Sequence, residues 1–167
     1  MRHAQRASFY RIMNFKETVK SFLDQALLEN ESLFLIDFSV NESNKITIIL
    51  DGDHGVTLQD CMDISRAVEH QLDSELHDFS LDVFSAGVST PLKFVRQYIK
   101  NVGRNLKITT LQNETFEAKL TNADESKIKI EWQSREPKKI GKGKETVNNE
   151  KEIVYDQIKE AIVLISF

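Results

Sequence analysis

Residues 82–92 read DVFSAGVSTPL, and the sequence pattern changes on either side of them. The stretch begins as the end of an alternating strand, passes through small residues around Gly87 and ends at Pro91. Proline has no backbone N–H to donate to a sheet, and it biases the preceding Thr90 toward extended backbone. The stretch therefore predicts a joint between two folded units, where a strand ends and a stiff connector begins.

The length and composition of the chain bound its class. At 167 residues it can form one ordinary domain or two small ones. Hydrophobic residues make up 40% and charged residues 29%, which is typical of folded proteins, and no apolar run approaches the roughly 20 residues that span a bilayer. The single cysteine, Cys61, excludes internal disulfides and favours the cytoplasm. We predict a disordered or non-native extension at 1–12, an α+β domain at 13–87, a linker at 88–92 and a β-barrel domain at 93–167.

The first domain has the pattern helix, strand, strand, helix, strand. Asn14 with Glu17, and Thr57 with Asp60, have the spacing of helix N-caps followed by an acidic third helical residue. Three segments alternate between apolar and polar residues, as strands do: 33–40, 46–50 and 79–83. The sequence predicts an α+β unit in the order αββαβ, with two helices covering one face of a three-stranded sheet.

The second domain has a different pattern of apolar and polar residues. Residues 93–103 predict a short helix closed by Gly103, which suits a left-handed cap. Five short alternating segments follow: LKITTL, TFEAKL, KIKIEW, EIVY and AIVLIS. Five strands that each bury one face favour a small closed barrel. The polar, Gly- and Lys-rich stretch 137–151 predicts a long mobile loop between the third and fourth strands.

Charge is divided unevenly between the two parts. Residues 13–91 carry 4 Lys/Arg against 15 Asp/Glu, whereas residues 92–167 carry 15 against 11. Charge asymmetry governs steering and non-specific binding more than it governs fold. The division indicates either two halves with different electrostatic partners or surfaces that simply keep the protein in solution.

Residue patterns for catalysis are weak throughout. The segment around Ser85 and Ser89 has neither the glycines of a nucleophile elbow nor those of a phosphate-binding loop. The motif DGDHG at 51–55 could bind a cation, but glycine and aspartate are equally what a strand-to-helix loop requires. His70 and His77 are too far apart in sequence for chelation by one helical turn. We expect no catalytic residues, no metal and no cofactor.

Four lysines gather near the end of the third strand of the second domain: Lys138, Lys139, Lys142 and Lys144. Glycines between them would let the cations adapt to a phosphate backbone, and a solvated hairpin tip is the alternative. Trp132 could stack on a base, but its alternation with Ile128 and Ile130 favours a place in the core.

Several stretches resemble the ribosome maturation factor RimP family. DGDHGVTLQDCMDISRAVEHQLD at 51–73 is similar to that family's D-G-x-x-G-V-T-L-x-D-C-x-x-[VI]-S-R motif. VFSAGVSTPL at 83–92 is similar to its interdomain signature V-S-S-P-G-L-D-R-P-L. FVRQYIKNVGRNLKIT and EIVYDQIKEAIVLISF resemble the entry and the closing strands of its second domain. The helix motif is the most specific of these, and the likeness extends over residues 14–167.

The resemblance implies a fold and a role. The fold is an N-terminal α+β domain followed by a C-terminal Sm-like or SH3-like barrel. The role is that of a non-enzymatic assembly factor that binds the small ribosomal subunit during its maturation, close to a ribosomal protein. Gly87, Pro91 and Leu92 match the family signature and would shape the interdomain joint, whereas Ser89 and Thr90 stand where the family has Asp-Arg.

The charge division then suggests two binding faces on a monomer. An acidic face would attract a basic ribosomal protein, and we assign to it Asp51, Asp53, Asp60 and Asp63. The four lysines would lie near the phosphates of small-subunit rRNA. The alternatives are an Sm-like module that acts on small RNAs as an oligomeric ring, and a metal-dependent hydrolase built on DGDHG.

Overall fold

The protein has two compact units, which divide between Ala86 and Gly87 in the computed structural model. The structure describes residues 14–72, 78–87 and 89–165, so the predicted extension at 1–12 lies outside the described residues. Each unit buries its own hydrophobic core. We call them the N-terminal and the C-terminal unit. The predicted domain limits, with a linker at 88–92, stay a prediction.

The N-terminal unit is a three-stranded sheet with two helices, which confirms the predicted αββαβ order. Its elements are α1 (Phe15–Leu28), β1 (Leu33–Val40), β2 (Lys45–Gly52), α2 (Leu58–Glu69) and β3 (Ser80–Ser85). Strand β2 is central, antiparallel to β1 and parallel to β3. Apolar residues of both helices pack with alternate residues of β2 in one core, which includes Leu23, Ile48 and Val68.

Both predicted helix caps are present. The Asn14 Oδ1 accepts a hydrogen bond from the Glu17 N–H at 2.8 Å, so a donor that the first turn of α1 leaves free is satisfied. At the start of α2, the Thr57 Oγ1 accepts from the Asp60 N–H at 3.0 Å. The Asp60 carboxylate accepts from the Thr57 N–H at 2.9 Å, which completes a capping box.

The C-terminal unit is a short helix and a five-stranded antiparallel sheet. Its elements are α3 (Val95–Lys100), β4 (Asn105–Thr110), β5 (Thr115–Ala123), β6 (Lys127–Pro137), β7 (Lys144–Val154), a 3₁₀ turn (Tyr155–Gln157) and β8 (Ile158–Val163). The strand order is β7-β6-β5-β4-β8. No pairing joins the outer strands β7 and β8 in the part of the chain that is described, so the closed barrel stays a prediction. Within the same part, none of the helices has the length and hydropathy needed to cross a membrane.

The prediction of a long mobile loop at 137–151 is wrong. Strands β6 and β7 pair in register from Lys127 opposite Val154 to Pro137 opposite Lys144. Strand β5 pairs with β6 only as far as Glu131, so residues 132–137 and 144–149 pair only with each other among the described residues. We call residues 132–149 the ribbon, with residues 138–143 as its tip. Backbone ladder bonds hold these strands even though their sequence is too polar to bury a face.

Tyr98 of α3 lies in the core of the C-terminal unit. Its side chain is 4% exposed, and its ring meets that of Tyr155 edge-on at 5.1 Å between centroids. Burial, and to a lesser degree the neighbouring Tyr155, raises the pKa of Tyr98 to about 12. Burial disfavours the charged phenolate, so the neutral form is the one that fits the folded state.

We therefore expect the unit to lose stability in strong alkali. In the unfolded chain Tyr98 releases its proton near pH 10, whereas in the folded chain it holds the proton to about pH 12. The stabilising contribution is fully present below pH 10 and is lost as the pH rises above it, to the extent of about 2–3 kcal/mol. Urea unfolding across this range, with Tyr98→Phe as the control, measures the loss. An equally steep loss in Tyr98→Phe would contradict the assignment.

Candidate functional site

The motif DGDHG forms the tight connection between β2 and α2. Asp51 is only 8% exposed, and its Oδ1 accepts the N–H of Gly52 at 2.8 Å. The Asp53 N–H donates to the Ser32 carbonyl at 2.9 Å, and the Gly55 N–H donates to the Gly52 carbonyl at 3.0 Å. Gly55 has a φ of 88°, a backbone conformation that favours glycine. The loop thus has a structural explanation, and Asp51 adds little charge to the surface.

The other two predicted acidic residues lie on α2. Asp60 is half-buried and closes the capping box with Thr57. Asp63, one turn further along the helix, is exposed, and its Oδ1 accepts from the Gln59 Nε2 at 2.7 Å. Of the four aspartates, Asp63 is therefore the one most available to a partner.

A groove of about 260 Å³ lies between the C-terminal end of α1 and one face of α2. We call it the acidic groove; it is lined by Ala26, Glu29, Asn30, Leu33, Asp60, Asp63, Ile64 and Ala67. The floor is apolar and three carboxylates stand around it, so the groove fits a lysine or arginine side chain whose aliphatic stem packs on the floor. Glu29 has no motif or spacing in the sequence that marks it as part of this groove. It ends α1, and only the packing of the two helices brings it near Asp63.

Cys61 and the histidines form no catalytic arrangement in the described residues. Cys61 is half-buried on α2, and burial, reinforced by the charge of Asp60, raises the pKa of its thiol. A raised thiol pKa disfavours the nucleophilic thiolate. His70 caps the end of α2, while His77 lies outside the described residues. No group of three or more His, Cys, Asp or Glu is placed to hold a metal within residues 14–72, 78–87 and 89–165.

The three joint residues differ in their surroundings. A Cβ added at Gly87 would meet only the Thr90 Oγ1, at 3.6 Å, so the position has room for a side chain. The Thr90 N–H donates to the Gly87 carbonyl at 3.0 Å, which forms a turn before the exposed Pro91. The Leu92 N–H donates to the Ala161 carbonyl at 2.8 Å and so attaches this segment to β8.

The four predicted lysines gather at the far end of the ribbon. Lys138, Lys139 and Lys142 are in the tip, Lys144 begins β7, and all four are exposed. Among the described residues none of them forms an ion pair, whereas at the base of the hairpin Lys127 pairs with Glu152 at 2.9 Å and Lys129 with Glu150 at 3.1 Å. Lysines at the base of the hairpin are thus paired with carboxylates, whereas those at its far end form no ion pair among the described residues.

Trp132 lies at the edge of the core of the C-terminal unit, as its alternation with Ile128 and Ile130 predicted. Its ring packs on Phe116 with centroids 5.1 Å apart. The ammonium group of Lys151 lies over the Phe116 ring, 5.5 Å from its centroid. The structure therefore supports the core interpretation of Trp132 over base stacking.

Comparison with known proteins supports the family resemblance. Residues 22–91 match the RimP N-terminal domain family model. The ribosome maturation factor RimP of Flavobacterium psychrophilum is 59% identical over 155 residues, covering 93% of this chain and 100% of that protein. The RimP of Christiangramia forsetii is 51% identical over 152 residues, or 91% and 99% of the two chains. That of Porphyromonas gingivalis is 29% identical over 138 residues, or 83% and 91%. The chain therefore belongs to the ribosome maturation factor RimP family.

Proposed function

We propose that the protein acts in maturation of the small ribosomal subunit by binding a basic ribosomal protein and rRNA, without catalysing a reaction. One observation carries the proposal: nearly the whole chain is similar to proteins named ribosome maturation factor, one of which it matches at 59% identity over that protein's full length. We further propose that it works in the cytoplasm as a monomer without a cofactor, and that the C-terminal unit is an Sm-like barrel.

The acidic groove is the proposed contact for the basic ribosomal protein. The helices place Glu29, Asp60 and Asp63 around an apolar floor, and the unit that carries them is rich in acidic residues overall. A field of one sign speeds the encounter with an oppositely charged partner, and close charge pairs then fix its register. Asp51 and Asp53 support this field less directly, because one is buried and the other half-buried.

The lysine-bearing tip is the proposed contact for rRNA. The C-terminal unit has an excess of Lys and Arg, and the three exposed lysines of the tip, together with Lys144 at the start of β7, have no ion-pair partner among the described residues. Lysines that replace condensed counterions on a phosphate backbone give affinity that falls steeply with salt. The two units thereby offer surfaces of opposite charge to a ribonucleoprotein, whose components also differ in charge.

Complementation of a gene deletion tests this function. We expect the deletion to reduce the small-subunit peak in a sucrose gradient and to leave precursor rRNA in it, and we expect the intact gene to restore both. A copy carrying Glu29→Lys and Asp63→Lys should fail to restore them, and in vitro it should associate with small subunits about tenfold more slowly at low salt.

A matched variant distinguishes an effect of the acidic groove from an effect of the overall negative charge of the unit. Glu42→Lys with Asp78→Lys reverses two exposed charges of the same unit and should restore normal subunits. Normal subunit ratios and normal rRNA processing in the deletion would contradict the function itself. Full rescue by the Glu29 and Asp63 variant would instead contradict the role of the groove alone.

A further inference from the structure

The ribbon extends beyond the sheet that anchors it. On β6 the buried core of the C-terminal unit ends at Ile130, and on β7 it resumes at Ile153. Trp132 still packs on Phe116 at the edge of this core. Beyond it the two strands run on together for five residues each, from Gln133 opposite Asn148 to Pro137 opposite Lys144. At about 3.3 Å per residue this extension has a reach of about 17 Å.

Cross-strand side chains hold the ribbon in place of a core. The Asn149 Nδ2 donates to the Ser134 Oγ at 2.8 Å, and the Gln133 Nε2 donates to the Asn148 Oδ1 at 3.1 Å. Nearer the tip, the Arg135 guanidinium donates to the Thr146 Oγ1 at 2.9 Å and to the Lys144 carbonyl at 3.3 Å. Such opposed and diagonal pairs are the means by which a two-stranded ribbon keeps its register in water.

The tip presents an isoleucine among the lysines. Ile140 is 90% exposed, more than any other large hydrophobic side chain in the described residues. The Lys138 N–H donates to the Gly143 carbonyl at 3.0 Å, and Gly141 and Gly143 have φ values of 88° and 97°, so a tight turn holds Ile140 at the apex. An apolar side chain at the apex is exposed at a cost in hydration unless a partner covers it.

We propose that the ribbon is an RNA-inserting arm, in which Ile140 enters an unstacked step of an RNA helix while the tip lysines hold the flanking phosphates. This inference rests on the proposed rRNA contact of the C-terminal unit and deepens it by naming the substrate, a helix interrupted by unpaired bases. Apolar side chains wedge between bases at distorted steps, and unpaired RNA bases offer open faces next to their own phosphates.

Two simpler roles account for the lysines of the tip but not for its exposed isoleucine. Lysines on an edge strand such as β7 discourage pairing with a second chain, but that role does not require an isoleucine at the apex. An acidic protein would satisfy the lysines by charge alone and would leave Ile140 in water. An interrupted RNA helix accommodates both features together, because each nucleotide carries a charged phosphate and an apolar base face.

Binding of two labelled RNA stems to the full chain tests the proposal, one stem with a central bulge and the other fully paired. We expect the wild type to prefer the bulged stem. Ile140→Ser should weaken binding of the bulged stem about tenfold and leave the paired stem and the salt dependence unchanged. Replacing Lys144 and the three tip lysines by glutamine should weaken binding of both stems on the order of a hundredfold and lower the salt slope by about 3.

Matched variants control for hydrophobicity and charge. Leu111→Ser removes a 55% exposed apolar side chain from the turn between β4 and β5, and it should change neither stem. Glutamine at Lys16, Lys107, Lys119 and Lys159 removes four exposed cations elsewhere and should change binding by less than about threefold.

Three further outcomes would contradict either the proposed RNA insertion or the rRNA contact on which it rests. Equal binding of both stems, with no effect of Ile140→Ser, would disprove insertion even if the deletion strain still lacked small subunits. Displacement of RNA by polyglutamate at matched charge would assign the tip to an acidic polypeptide instead. Failure of the wild type to bind either stem would remove the rRNA contact on which the inference rests, whatever the deletion strain shows.

Discussion

Replacing Ile48 by alanine is expected to lower the free energy of unfolding by about 2–5 kcal/mol, the largest effect we predict for a single substitution. Ile48 is 0% exposed at the middle of β2, with Phe38 of β1 and Val83 of β3 opposite it in the sheet. Truncation removes apolar contacts and leaves a cavity beneath both helices, which backbone adjustment in a central strand fills poorly. Urea unfolding followed by helical circular dichroism, which α1 and α2 dominate, measures the loss.

The adjacent Ile49 provides the control. Its side chain points to the opposite face of the sheet, where it is half-buried with Asp37 and Phe84 as cross-strand neighbours. Ile49→Ala should therefore cost about 1 kcal/mol. Equal losses of stability at Ile48 and Ile49 would contradict the packing of the helices on the face of the sheet that carries Ile48.

Replacing Gly52 by alanine is expected to destabilise the N-terminal unit by about 1–3 kcal/mol and to displace the loop that leads into α2. A Cβ at this position would fall inside the contact distance of the Gly55 carbonyl oxygen and would lie 3.2 Å from the Leu33 Cδ2. The nearest obstacle is backbone, so no rotamer change relieves it. The amide signal of Asp53, whose N–H donates to the Ser32 carbonyl, should shift in an NMR spectrum, and urea unfolding should give the energy.

Gly87→Ala is the matched substitution for this test. The added methyl group at Gly87 would meet only the Thr90 Oγ1 at ordinary contact distance, so stability should change by less than about 1 kcal/mol. If Gly52→Ala were as stable as Gly87→Ala, the close approach of Gly52 to Gly55 would not constrain the loop.

The elements of the N-terminal unit were predictable because their signals are local. The caps at Asn14 and Thr57 depend on residues three positions away, and both form as the spacing predicts. The hairpin of β1 and β2 follows from alternation on both sides of a short polar turn. The parallel pairing of β2 with β3 has no such local signal, since it depends on the path of α2 across the sheet.

The strand pairing of the ribbon could not be predicted from the sequence. Alternation of apolar and polar residues indicates which face of a strand is buried, and it does not indicate which strands pair. Residues 144–149 are mostly polar on both faces, so they lack the period-2 pattern that marks a strand covering a core. Hydrogen bonds to the facing strand and pairs such as Arg135 with Thr146 stabilise them instead. A stretch of this composition is therefore interpreted as a loop whenever apolar periodicity is the only criterion.

The candidate site was predictable in its residue types but not in its exposure. Asp51 and Asp63 are both acidic, yet the first is 8% exposed at the end of β2 and the second is exposed on a helix. Glu29 carried no signal, because the two other carboxylates of the groove come from α2, about 30 residues further along the chain. Charge can be counted in a sequence, whereas the surface that presents it depends on packing.

The extension of the ribbon beyond the core bears on how the family can diversify. One residue can be inserted or deleted in each strand between Gln133 and Asn148, so that the two strands stay paired. Such a change leaves the buried residues unaltered, because these end at Ile130 on β6 and resume at Ile153 on β7. Each matched pair would change the reach by about 3.3 Å, and changes in steps of two would keep every side chain on its present face. Natural selection can thus adjust the length of the hairpin while the fold beneath it stays the same.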